Sequence, residues 1–167
     1  MFNTILVPTD GSPGTDRVID RASELAALND AEMRFVYAAN PSSYMGLPLE
    51  TPWEGVETML HEEGEKALRA AETRCSADQT DSEIIEGRPS REIVAYAERT
   101  SCDLIVMGTH GRGGLNRLLL GSVAERVVRS ATVPVMTVRI GSDAQPEPEL
   151  SKSRQVAADP SVSGALE

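Results

Sequence analysis

The sequence predicts an α/β domain built on an open parallel sheet. Short apolar runs alternate along the chain with longer segments of helical period, the pattern of strands joined by crossover helices. The run at 103–107, Asp-Leu-Ile-Val-Met, is apolar at consecutive positions, as a central strand covered on both faces requires. Two glycine-containing loops each follow a strand directly, which is where such sheets place their ligand loops.

Taken in order, the first strand is Thr4, Ile5, Leu6 and Val7, ended by Pro8. After the loop DGSPGT, the residues Val18, Ile19, Ala22, Leu25 and Ala26 recur on one face of a helix. The second strand spans 33–38, followed by the polar loop NPSSYMGLPLETP. A long helix then turns Val56, Leu60, Ala67 and Ala71 inward, and the third strand is expected at 83–85. Gly87, Arg88 and Pro89 lead into a helix carrying Ile93, Val94 and Ala97. The fourth strand at 103–107 opens into a glycine-rich loop and a helix expected to turn Val123, Ala124, Val127 and Val128 inward. The last strand is expected at 133–138, and Pro134 within it, lacking an N–H, places it at a sheet edge. The segment 141–167 has three prolines and no aromatic residue and reads as an acidic, disordered tail. The domain is therefore expected to span 1–140.

Composition narrows the function. The 167 residues, 40% apolar and 25% charged, are of ordinary proportion for one domain. No apolar run approaches the ~20 residues of a membrane-spanning helix. The opening MFNTILVPTD lacks a basic leader region and reads as strand, not signal peptide. Cys75 and Cys102 have no metal-type spacing and are expected as reduced thiols of a cytoplasmic protein. With 26 Asp and Glu against 16 Lys and Arg, the net charge of −10 repels nucleic-acid phosphates and anionic lipid. Neither nucleic acid nor membrane is expected as a partner.

The chemistry is expected in two loops, 8–12 (PTDGS) and 108–122 (GTHGRGGLNRLLLGS). Glycines let backbone N–H groups approach an anion, and a helix N-terminus adds positive potential, so the second loop has the makings of a phosphate cradle. Ser122 with Glu125 three residues on also fits a capping box, in which Ser122 serves only its helix. Asp10 can bind a ligand or close an Asx turn with its own loop. A P-loop is excluded because no lysine stands near either loop, and the dinucleotide fingerprint GxGxxG does not follow the first strand. His61 and His110 are the chain's two histidines, and neither forms a visible Ser–His–Asp arrangement, so no catalytic residue is assigned.

The spacing Gly108-x2-Gly111-x9-Gly121-Ser122, with the opening ILVPTDGS, the segment MGTHGRGG and the ending VPVMTVR, resembles the universal stress protein family and its ATP-binding subgroup. The resemblance runs over about residues 1–140. It implies a five-stranded parallel sheet of order 3-2-1-4-5 with helices on both faces, Rossmann-like and similar to the adenine nucleotide alpha hydrolases. It also implies ATP as ligand, with Mg²⁺. By the same resemblance Pro8, Thr9 and Asp10 contact the nucleotide and Val36 contacts adenine. Met107, Gly108, His110, Gly111 and Arg112 reach ribose and phosphates, and Gly121, Ser122 and Val123 close the phosphate end. No metal-ligating side chain is assigned. The expected function is a nucleotide-dependent stress-response or signalling module, acting on a protein partner the sequence does not name. A slow ATPase and a nucleotide-free scaffold are the alternatives. The apolar last strand, 133–138, is expected to pair two copies into a homodimer.

Overall fold

The computed structural model describes residues 1–44, 53–109 and 120–140. Five strands, β1 (Thr4–Pro8), β2 (Glu32–Ala39), β3 (Thr80–Glu86), β4 (Leu104–Gly108) and β5 (Val135–Val138), alternate with four helices. These are α1 (Thr15–Asn29), α2 (Trp53–Arg74), α3 (Pro89–Arg99) and α4 (Ser122–Ser130). A short 3₁₀ turn, Pro41–Tyr44, follows β2. All pairings are parallel, and the strand order is β3-β2-β1-β4-β5, as expected from the sequence.

Strand alternation divides the interior into two cores. Ile5, Val7, Phe35, Leu104 and Val106 face α1 and α2, packing on Val18, Ile19, Ala22, Val56 and Leu60. Leu6, Val36, Ile105 and Met107 face the other way, onto Ile93, Tyr96 and Ala97 of α3 and Ala124 and Val127 of α4. Side chains of successive strand residues point to opposite faces, so a strand covered by helices on both sides must be apolar throughout. Ile5, Leu6 and Val7 of β1 and Leu104 through Met107 of β4 satisfy that, all buried. The Asp103 carboxylate ties the entry of β4 to that of β1, its Oδ2 accepting the backbone N–H groups of Asn3 and of Thr4 at 2.9 Å.

Strand β2 extends one residue beyond the expected 33–38 at each end, β4 is shifted by one from the expected 103–107, and three further features differ from the sequence expectation. The third strand is longer than 83–85, beginning at Thr80, because hydrogen bonding to β2 continues through its exposed, polar first half. The last strand is shorter than 133–138. Val133 and Pro134 precede it, although the Pro134 carbonyl accepts the Ile105 N–H at 3.0 Å. Ser122 is not a helix cap: Gly121, at φ −61° and ψ 151°, holds that position, and no side chain caps the helix. The tail expected at 141–167 lies outside the described residues. Among the described residues, no helix is long and apolar enough to cross a membrane. Cys102 is buried and Cys75 half-buried, both free thiols. Burial pushes the Cys102 thiol up, against a hydrogen bond with Thr100 that lowers it.

Candidate nucleotide site at the carboxyl edge

The chain runs from β1 outward to β2 and β3, then crosses back to place β4 on the other side of β1. The strand order therefore reverses between β1 and β4, the position where open α/β sheets leave a crevice beyond their carboxyl ends. Both glycine-containing loops leave from these two strands.

The first loop is held by its own polar groups. Thr9 N–H donates to the Val36 carbonyl at 2.9 Å, extending the β1–β2 pairing one residue past Pro8, which is in register with Val36. Gly11 N–H donates to Thr9 Oγ1 at 3.2 Å, and Ser12 N–H to Asp10 Oδ1 at 3.0 Å. The Asx turn weighed from the sequence is thus present. It fixes the half-buried Asp10 carboxylate at the carboxyl end of β1.

The second loop is organised around Thr109, which the sequence reading did not single out. Its N–H donates to the Val138 carbonyl at 2.9 Å, continuing β4 past Gly108 beside β5. Its carbonyl accepts the Gly121 N–H at 2.7 Å, which folds the start of α4 back onto the end of β4. Its hydroxyl accepts the Ile140 N–H at 3.3 Å. One residue therefore joins β4, the exit of β5 and the head of α4. Its position inside the glycine signature, directly after Gly108, was the available signal.

At that head, Gly121 serves as N-cap through its backbone alone, accepting Glu125 N–H at 2.8 Å. The Ser122 side chain is exposed and Val123 half-buried. The first amides of a helix have no intrahelical acceptor, and among the described residues no side chain caps this one. The reading in which Ser122 merely caps α4 is therefore overturned, and the positive end of the helix dipole lies at this first turn.

Of the other expected contacts, the Val36 and Met107 side chains are buried in the core under α3 and α4. Ala38, two residues past Val36 on the same face, is half-buried at the carboxyl end of β2 and is nearer the crevice. Pro8 and Gly108 end their strands, both half-buried. His110, Gly111 and Arg112 lie outside the described residues. His61 pairs its Nε2 with Glu86 Oε1 at 3.0 Å on the exposed surface at the end of β3, two strands from β1.

Comparison with known proteins bears on this geometry. The family model for the universal stress protein family matches residues 1–139. A universal stress protein of Methanocaldococcus jannaschii, MJ0531, is 41% identical over 141 residues, covering 83% of each chain. The solved structure of hypothetical protein MJ0577 superposes with a TM-score of 0.73 at 26% identity, covering 86% of this chain and 99% of that one. A universal stress protein solved in complex with cAMP superposes with a TM-score of 0.65 at 27% identity, covering 84% and 99%. By fold, by the extent of the match and by the identity shared with these relatives, the chain belongs to the universal stress protein family.

Proposed function

We propose that the protein is a nucleotide-dependent stress-response module of the cytoplasm that binds ATP, with Mg²⁺, at the crevice between β1 and β4. The observation that carries this reading is the uncapped first turn of α4, folded onto Thr109 at the point where strand order reverses. The amides and dipole of a helix head suit a phosphate chain, and the Asp10 carboxylate on the neighbouring loop suits a hydroxyl or amino donor of the nucleoside. The relative solved with cAMP supports an adenine nucleotide as the ligand class.

In this reading the Ser122 and Val123 amides and the Ser122 hydroxyl hold phosphate oxygens, while Thr9 and Asp10 hold the nucleoside end. ATP supplies a compact multiple negative charge that ties the two loops together when bound. Mg²⁺ keeps several waters and usually binds through phosphate oxygens. That suits a site in which, among the described residues, no three His, Cys, Asp or Glu side chains group to hold a metal. Binding at a junction of β4, β5 and α4 couples occupancy to the β5 edge, the surface proposed to pair two copies. Met136, 38% exposed, leaves apolar surface on β5. Val128 of α4, expected inward from the sequence, is instead 46% exposed, because the face of α4 turned to the sheet carries Ala124 and Val127.

Isothermal titration of the full chain is expected to show ATP binding that strengthens with Mg²⁺ and exceeds GTP binding. Native mass spectrometry of unheated preparations is expected to show co-purified adenine nucleotide. A folded sample giving no heat with ATP at high protein concentration overturns the proposal.

A further inference from the structure

The chain is acidic overall, yet four of its 16 lysines and arginines line one groove. The groove lies between α3 and α4 on the outer face of the domain and has a volume of about 800 Å³. Arg88 and Arg91 come from the head of α3, and Arg126 and Arg129 from the second half of α4. Residues three apart on a helix share a face, so each helix contributes a pair of guanidinium groups to the same space. Val94 and the nearly buried Ser90 complete the wall, and Glu92 is the carboxylate among the lining residues.

These cations are poorly neutralised. Among the described residues, Arg88 and Arg126 make no ion pair. Arg91 stands 4.0 Å from Glu92, at the limit of an ion pair. Arg129 pairs with Glu125 at 2.8 Å, an exposed i, i+4 contact of the weak kind. The head of α3 points its dipole the same way, although Pro89 has no N–H and the Arg91 and Glu92 amides both donate to the Arg88 carbonyl at 3.0 Å.

We propose that this groove is a second ligand site, for a small molecule carrying two or more linked phosphates. Guanidinium forks match phosphate oxygens bidentately, and arginine is the residue suited to that geometry. The volume falls within the range of small-molecule pockets. Two pairs of cations on opposing helices favour a compact polyanion that reaches both walls over carboxylates spaced along a peptide. Long nucleic acid is disfavoured by the net charge of −10. The proposal does not rest on the nucleotide reading, because the lining shares no residue with the loops at Pro8–Ser12 or Gly108–Val123. It does share α4, whose first turn carries Ser122 and whose next two turns carry Arg126 and Arg129, so occupancy of one site is felt by the helix that serves both.

The test titrates inorganic tripolyphosphate into the full chain by calorimetry, in a Gly121→Val background that closes the α4 head to phosphate. Binding is expected to persist in that background and to weaken at least tenfold on adding Arg88→Gln and Arg126→Gln. Both arginines are exposed, and circular dichroism verifies that the variants fold. ¹⁵N resonances of the Arg91 and Arg129 side chains are expected to shift on titration. Absence of binding in the Gly121→Val background, or equal binding after the arginine substitutions, overturns the proposal. Tighter binding of an oligoglutamate peptide than of tripolyphosphate overturns the ligand class. If ATP fails to bind at the crevice, Gly121→Val behaves as wild type and the arginine comparison still decides the groove.

Discussion

Replacing Gly14 with alanine tests how the β1 loop is held against the chain that leaves β5. Gly14 caps α1 at φ +95°, in the left-handed region. A side chain there costs about 1–2 kcal/mol in backbone strain. A Cβ built on Gly14 would also fall inside Ile140 Cγ2 and lie 3.3 Å from Ile140 Cβ. Ile140 is β-branched, with restricted rotamers, so it yields poorly. Overlap of this kind costs about 1–3 kcal/mol. Gly14→Ala is therefore expected to destabilise the protein by about 2–5 kcal/mol. Ile140→Ala alone removes three carbons from a half-buried site and is expected to cost about 1 kcal/mol. In the double variant the strain remains but the overlap is gone, so the two effects are expected to sum to about 1–3 kcal/mol less than the single values. Urea unfolding of the four proteins, followed by circular dichroism, measures that coupling. Additivity within about 0.5 kcal/mol would show that Ile140 does not fill the space over Gly14, and the loop-to-exit contact would be refuted.

Gly121→Val leaves a backbone at φ −61° and ψ 151°, which valine adopts without strain, so the fold is expected to survive while ATP affinity drops by about 1–3 kcal/mol. Unchanged affinity by calorimetry would remove the α4 head from the phosphate site. Met136→Asp places charge on an exposed apolar position of β5, and sedimentation equilibrium is expected to report a wild-type dimer and a monomeric variant. A dimeric variant would place the interface elsewhere. The N–H groups of Asn3 and Thr4 hold the Asp103 carboxyl below the usual carboxylate range. Its stabilising contribution is thus complete above the unfolded-state value near 3.9 and is lost as pH falls through the lower folded-state value. Asp103→Ala is expected to lower the urea midpoint at pH 7 and to approach wild type at pH 2. A gap that does not change with pH would contradict this.

The elements legible in the sequence were those whose residues face one environment along their length. Strand β4 could be read directly because both its faces are buried, so its pattern is apolar without interruption. Strand β3 was under-read because an edge strand half open to water carries Thr80, Asp81 and Glu83. Strand β5 was over-read at its start because β-branched residues flank a proline that contributes only its carbonyl. The loop proposed to hold phosphate stands out in the sequence for a different reason. A site made of backbone donors leaves its mark as glycines at fixed spacing, and these stand in one contiguous stretch. The capping of α4 was misread by one residue. The pattern Ser-x-x-Glu is also what a helix shows when Gly121 caps it through the backbone and Glu125 pairs with Arg129.

The arginine groove escaped because its parts are separated in a way the loops are not. Arg88 and Arg91 stand 38 residues before Arg126 and Arg129 in the chain, and each pair alone reads as a solvated helix face. What joins them is the topology: α3 and α4 follow the strands on either side of the crossover to β4 and pack on the same side of the sheet. The i, i+3 spacing of both pairs was visible, but it acquires meaning only when the strand order puts the two helices side by side. The same order that opens the crevice between β1 and β4 therefore also brings together the cations of the groove, and α4, with its head at one and its flank at the other, is the element through which a ligand in either is expected to affect its partner.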